Sequence, residues 1–176
     1  MPVDRMFGKD GNRPEVDWEA VYAEYLPRVY NYFRYLIGPS AVAEDLTAAV
    51  FEKAWRQRGR YRPERGALST WLFALAKNVA RDHFRRGNRE LPLEWAGSLA
   101  DSDPVEEAVA EREDQARLAA LLAQLPPRER ELVALKYGAD LTNREIARLT
   151  GLSETNVGTI LYRVVQRLRR AWEEEP

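Results

Sequence analysis

The stretch LTNREIARLTGLSETNVGTILYRVVQRLRR, residues 141–170, decides how the chain reads. A helix-turn-helix needs a small residue where its two helices pack, a turn residue that tolerates positive φ, and an apolar anchor on the second helix. Ala147, Gly151 and Val157 supply these in order. Thr142 is placed to cap the first helix and Ser153 the second, so free backbone N–H groups face outward at the start of the second helix. Val157, Ile160, Leu161, Val164 and Leu168 form its apolar stripe. The complementary face carries Thr155, Asn156, Gly158, Thr159, Tyr162, Arg163, Arg167 and Arg170. Short polar groups near the helix start suit base edges in a major groove, and the arginines further along suit phosphates. The alternative reading of this segment is a helical hairpin with a solvated basic face.

Upstream, Leu118, Leu121, Leu122 and Leu125 form a helical stripe that Pro126-Pro127 closes, and Pro127 suits the first position of a helix stopping at Gly138. Residues 88–112 lose periodicity, contain Pro92, Gly97 and Pro104, and read as a linker. Before it, Leu68 to Arg86 predicts a two-faced helix. Leu68, Leu72, Leu75 and Val79 form one stripe, and Asn78, Arg81, Asp82 and Arg85 another. The loop RGRYRPERG precedes it. A helix from Ser40 to about Gln57 is expected to bury Leu46, Val50 and Trp55. Trp18 to Leu36 also has helical spacing, which Pro27 is expected to kink or divide. Residues 1–16 lack periodicity and read as a disordered arm. The fold class expected is all-α: an arm over 1–16, helical domains over 17–88 and 113–176, and a flexible acidic linker over 89–112.

The charges sharpen that division. With 27 Lys and Arg against 28 Asp and Glu the chain is nearly neutral. Yet residues 17–88 carry 12 basic and 8 acidic groups, residues 89–116 carry 2 and 9, and residues 117–176 carry 10 and 8. Two basic blocks flank an acidic one. The absence of cysteine excludes disulfides and thiolate metal sites. Neither a signal peptide nor a membrane span is legible, so a cytoplasmic protein without membrane insertion is expected. His83 is the single histidine, with no acidic pair at metal-ligand spacing, which argues against a nucleic-acid enzyme. No cofactor, metal or catalytic residue is expected.

The combination resembles the extracytoplasmic-function sigma factors of bacterial RNA polymerase. AEDLTAAVFEKAW and STWLFALAKNVARDHFRR resemble the family's region 2, and LPPRERELVALKYG with the helix-turn-helix resembles region 4. The resemblance covers about residues 18–88 and 113–171, in the family's order and without a third domain between. It implies that region 2 binds the clamp helices of the polymerase β′ subunit and captures the non-template strand of the melted minus-ten element. Region 4 would bind the β-flap and read the minus-35 element as duplex. It also implies a linker threaded through polymerase channels and an anti-sigma factor as a partner. The competing reading is a stand-alone helix-turn-helix regulator that binds duplex DNA without polymerase.

The residues that would carry these roles can be named. Capture of unpaired bases needs cations for the backbone and aromatic or shaped pockets for the bases. Arg60, Tyr61, Arg62, Arg65, Trp71, Lys77, Asn78, Arg81 and Arg85 offer both, with Lys77 and Asn78 matching family positions at the upstream edge of the bubble. Trp71 reads equally as core, and Asp82 either orients a cation or pairs at the surface. Trp18, Tyr22, Tyr25, Tyr32 and Phe33 read as packing. Asp45, Ala48, Ala49, Phe51 and Lys53 match the polymerase-binding stretch, where Ala48-Ala49 replaces the family's common Gln-Glu. Gly158 stands where a basic residue is common, which moves base reading toward Asn156, Thr159 and Tyr162.

Overall fold

The computed structural model describes residues 7–8, 15–87 and 106–174. Seven α-helices lie among them: α1 Trp18–Ile37, α2 Ala41–Gln57, α3 Leu68–Arg86, α4 Glu106–Ala123, α5 Pro127–Val133, α6 Asn143–Thr150 and α7 Glu154–Glu174. A two-residue antiparallel ladder, β1 Phe7–Gly8 against β2 Glu15–Val16, precedes them. Part of the arm expected to be disordered is thus paired, and Val16 packs against the core. No described helix is long and apolar enough to cross a membrane.

Local chemistry sets most boundaries. Asp17 caps α1 by accepting from the N–H groups of Glu19 and Ala20, and Ser40 caps α2 from Ala43. Helix α1 runs unbroken through Pro27, because burial of Val21, Tyr25, Val29, Tyr32, Phe33 and Leu36 on one face outweighs the backbone hydrogen bond that proline cannot donate. The expected division at Pro27 is therefore absent. The loop after α2 is built from two 3₁₀ turns, Arg58–Arg60 and Pro63–Arg65. Helix α4 starts at Glu106, inside the stretch expected to be linker; the rest of that stretch, 88–105, lies outside the described residues.

Pro127 opens α5, which passes into a π-helical turn, Ala134–Gly138. Gly138 does more than stop this helix. A Cβ there would lie 2.8 Å from the Asn31 carbonyl oxygen and 3.0 Å from Tyr32 Cα, so only glycine admits this approach of the turn to α1. Arg130 is buried and sequence reading assigned it nothing. Its guanidinium donates to the carbonyls of Leu122 and Ala123 at the C-terminal end of α4 and to that of Leu125 in the turn that follows. Burial pushes its pKa down from the ordinary arginine value.

The two halves do not stand apart. One apolar cluster runs from Val21, Tyr32, Phe33, Leu72 and Phe73 into Leu132, Leu135, Ile146, Val157 and Val164. Two small helical domains joined by a flexible acidic linker had been the expectation, and both helical units are present. Here α1 packs on α5 and its π-helical turn, and α3 packs on α6.

Candidate nucleic-acid interface

Helices α6 and α7 form the helix-turn-helix. Thr142 and Glu145 make a reciprocal capping box at the start of α6: the Thr142 hydroxyl accepts from the Glu145 N–H, and the Glu145 carboxylate accepts from the Thr142 N–H. Gly151 takes φ 75°, the left-handed conformation the turn requires. Ser153 accepts from the Asn156 N–H at 3.1 Å, capping α7. Val157, Leu161 and Val164 are buried and Ile160 and Leu168 half-buried, so the stripe forms as expected.

The opposite face of α7 is open. Thr155, Asn156, Thr159, Tyr162, Arg163, Arg167 and Arg170 are exposed, Tyr162 at 68%. The Thr159 hydroxyl donates to the Thr155 carbonyl one turn back at 3.0 Å, which leaves the oxygen's acceptor capacity unused. Gly158 is half-buried, and a Cβ on it would stand 3.4 Å from the Asn143 amide nitrogen. It therefore serves the contact between α6 and α7 as well as the outer surface. Arg167 is held by the Glu129 carboxylate of α5, whereas among the described residues no ion pair engages Arg163.

The second candidate surface spans the loop between α2 and α3. Arg60 and Arg65 are exposed at the two 3₁₀ turns, and Arg62 folds back to donate to the carbonyls of Gly59 and Tyr61. Tyr61 is only 7% exposed; its ring leans on Trp71 at 5.4 Å and its hydroxyl donates to the Gly66 carbonyl. Its contribution is to shape the loop from beneath. Trp71 is half-buried between Tyr61 and Trp18, so it is partly core, as one of its two readings held. Trp55 departs from expectation. It is 54% exposed, edge-on to Trp18, with the Arg58 guanidinium 4.0 Å over its ring. The helical period placed it on the inner face, but the chain turns into the 3₁₀ segment there and leaves it at the rim.

Along α3 the polar stripe divides. Asn78, Arg81 and Arg85 are exposed, and Asp82 pairs with Arg85 at 2.8 Å. Lys77 is enclosed instead. Its side chain is 15% exposed, and its ammonium donates to the Leu149 carbonyl of α6 at 2.7 Å and faces Glu131 of α5 at 3.6 Å. Ser69 donates to the Glu145 carboxylate. Burial opposes ionisation of Glu145, but hydrogen bonds from Ser69 and from the Thr142 side chain and backbone, with the field of Arg28, together outweigh it and hold its pKa below the ordinary value. Sequence reading missed Ser69 and Glu145 because each meets its partner across 76 positions of chain.

The stretch matched to polymerase binding lies on α2. Asp45 and Ala48 are exposed, while Ala49 and Lys53 line an open groove between α2 and α3 together with Asp82, His83 and Arg86. Phe51 is half-buried and packs edge-on to Tyr22 at 4.9 Å. Among the described residues no group of acids and histidine is arranged to hold a metal ion.

Comparison with known proteins resolves what this pair of surfaces belongs to. Residues 21–90 match the family described as Sigma-70 region 2, and residues 115–168 match Sigma-70, region 4. The sigma factor RpoE of Cereibacter sphaeroides is 30% identical over 165 residues, covering 90% of this chain and 88% of its own. The chain belongs to the ECF RNA polymerase sigma factors. BldN of Streptomyces coelicolor, another ECF sigma factor, is 32% identical over 154 residues; the match covers 85% of this chain and 58% of BldN. In fold, the chain resembles the RpoE of a complex with the anti-sigma factor NepR from Bartonella quintana (TM-score 0.70, 20% identity, 91% of this chain and 99% of that one). It also resembles CnrH in complex with the cytosolic domain of CnrY (TM-score 0.68, 21% identity, 90% and 89%). The sigma factor is thus built as two family regions in sequence, each presenting one of the surfaces described above.

Proposed function

We propose that this sigma factor directs core RNA polymerase to a specific set of promoters, α7 reading the minus-35 element as duplex and the α2–α3 unit capturing the melted minus-ten strand. The observation that carries the reading is the order of two family regions on one chain, the second presenting an uncovered recognition face on α7. Asn156, Thr159 and Tyr162 are the base-reading candidates, and Arg163 supplies a phosphate contact. Arg60, Arg65, Arg81, Arg85 and Asn78 are positioned to neutralise and contact the open strand, with Lys77 at its upstream edge. Asp45, Ala48, Ala49 and Lys53 form the polymerase-facing side of α2. The chain supplies specificity and the polymerase the phosphoryl transfer, so its place of action is the cytoplasm. An anti-sigma factor is its expected inhibitor, as relatives of this fold are held in complexes with such factors.

The test is reconstitution. The purified chain and core polymerase are mixed with promoter fragments, and run-off transcripts and thymine reactivity in the bubble are measured. Core-dependent transcripts with reactive thymines upstream of the start are expected. Tight duplex binding by the chain alone, with no transcript on any fragment, would reject this reading in favour of a stand-alone regulator.

A further inference from the structure

A cavity of about 520 Å³ opens where α1 and α3 meet the start of α5. Its floor is apolar: Leu36 of α1 and Ala80 of α3 are buried, and so is the ring of Tyr32. Its mouth is charged. Arg81 of α3 and Arg128 of α5 are exposed there beside Phe84, and among the described residues no ion pair engages either arginine. The other charges on the wall already have partners. Lys77 faces Glu131 at 3.6 Å, and Arg130 is occupied by three carbonyls. Two unmatched cations therefore stand over an apolar floor.

That floor also holds an unmet hydrogen bond. The Tyr32 ring packs edge-on to Phe33 and Phe73, but its hydroxyl is buried without a partner. Burial, and then the field of Glu131, push its pKa well above the ordinary tyrosine value, so the group remains a donor at any working pH. A buried hydroxyl without an acceptor is destabilising, and phenylalanine would fill the same space without that cost. Packing alone does not account for the oxygen. Pockets that hold small ligands are mostly apolar, measure roughly 300–1,000 Å³ and carry a few convergent polar groups. This cavity is built in that way.

We propose that the cavity binds a small organic anion, with its apolar body on Leu36, Ala80 and Phe84, its anionic head between Arg81 and Arg128, and an acceptor on the body meeting the Tyr32 hydroxyl. Both parts of such a ligand are needed. An uncharged apolar molecule leaves the two guanidiniums unmatched, and a bare phosphate leaves the floor uncovered. Aromatic carboxylates with a carbonyl or ether oxygen on the ring combine the three features. The walls come from both family regions, so the occupant gives the chain a direct small-molecule input. The site stands whether or not α7 reads a promoter.

Calorimetric titration of the full-length chain with two probes tests this: 7-methoxycoumarin-4-acetate, which carries ring acceptors, and 1-naphthylacetate, which carries none. Saturable one-to-one binding of both is expected, with a melting temperature that rises as either is added. The methyl ester of the coumarin, which has no charge, should bind at least tenfold more weakly. Arg128→Glu, a change at an exposed position, should weaken both anions at least tenfold and leave the ester and the circular dichroism unchanged. Tyr32→Phe should weaken the coumarin several-fold and leave the naphthyl compound unaffected, while the free variant melts no lower than the parent chain. No saturable binding of either anion, equal affinity for anion and ester, or undiminished binding by Arg128→Glu overturns the proposal. Equal loss of both anions in Tyr32→Phe, with a lowered melt, makes Tyr32 a packing residue and overturns its part in the site.

Discussion

Arg130 and Arg167 show how little a residue type says without its surroundings. Both are arginines in the DNA-reading half, yet Arg130 is buried under three carbonyls and Arg167 is neutralised by Glu129. Arg130→Met should cost about 3 kcal/mol, because it strands the C-terminal carbonyls of α4 without partners, and denaturant melts would show it as a lowered midpoint. Arg163→Ala should leave the melt unchanged and weaken minus-35 binding across all sequences, flattening the dependence of log affinity on log salt by about 0.9. Arg167→Ala should flatten it by less, since its charge is already matched; equal slopes for the two variants would refute the distinction. Gly158→Ala should raise the melting temperature, corresponding to about 0.5–1 kcal/mol of helix propensity, since its Cβ meets only the Asn143 amide at ordinary contact distance.

At the scale of elements, α6 depends on an ionised carboxylate. Glu145 has its folded pKa held below the ordinary value of 4.5, so its contribution is complete above that pH and is lost as the pH falls through the lower folded value. Melting temperatures followed from about pH 6 to pH 3 should therefore drop on the acid side, and Glu145→Gln should make that drop shallower. The helices themselves were legible because their signals are local. Caps at Ser40, Thr142 and Ser153, the left-handed Gly151, Pro127 at a helix start and the apolar stripes of α3 and α7 all act within a few residues. Trp55 and the unbroken α1 were not legible, since the first depends on where the chain turns after α2 and the second on packing that overrides Pro27. The outward face of α7 followed from periodicity alone. The enclosure of Lys77 did not, because its partners come from α5 and α6 and no local pattern reports them.

At the scale of the whole molecule, charge segregation and lost periodicity over residues 88–112 suggested two helical domains joined by an acidic tether. What those signals do not report is the contact between the two domains: Tyr32 and Phe33 on α1 join Leu132 of α5 and Leu135 of the π-helical turn in a single buried cluster. Apolar area that a 70-residue unit cannot cover by itself finds cover on its neighbour. Gly138 is the point of closest approach in that contact, and it has an implication for the chain as genetic material. Expressed as separate polypeptides, residues 1–87 and 106–176 would still present matching faces, the turn at Gly138 against the backbone of Asn31 and Tyr32. The two pieces should co-purify as a heterodimer from one cell, and a Gly138→Leu change in the second piece alone should abolish the pairing. A split gene would thus yield a conditional factor whose halves find one another without a covalent tether.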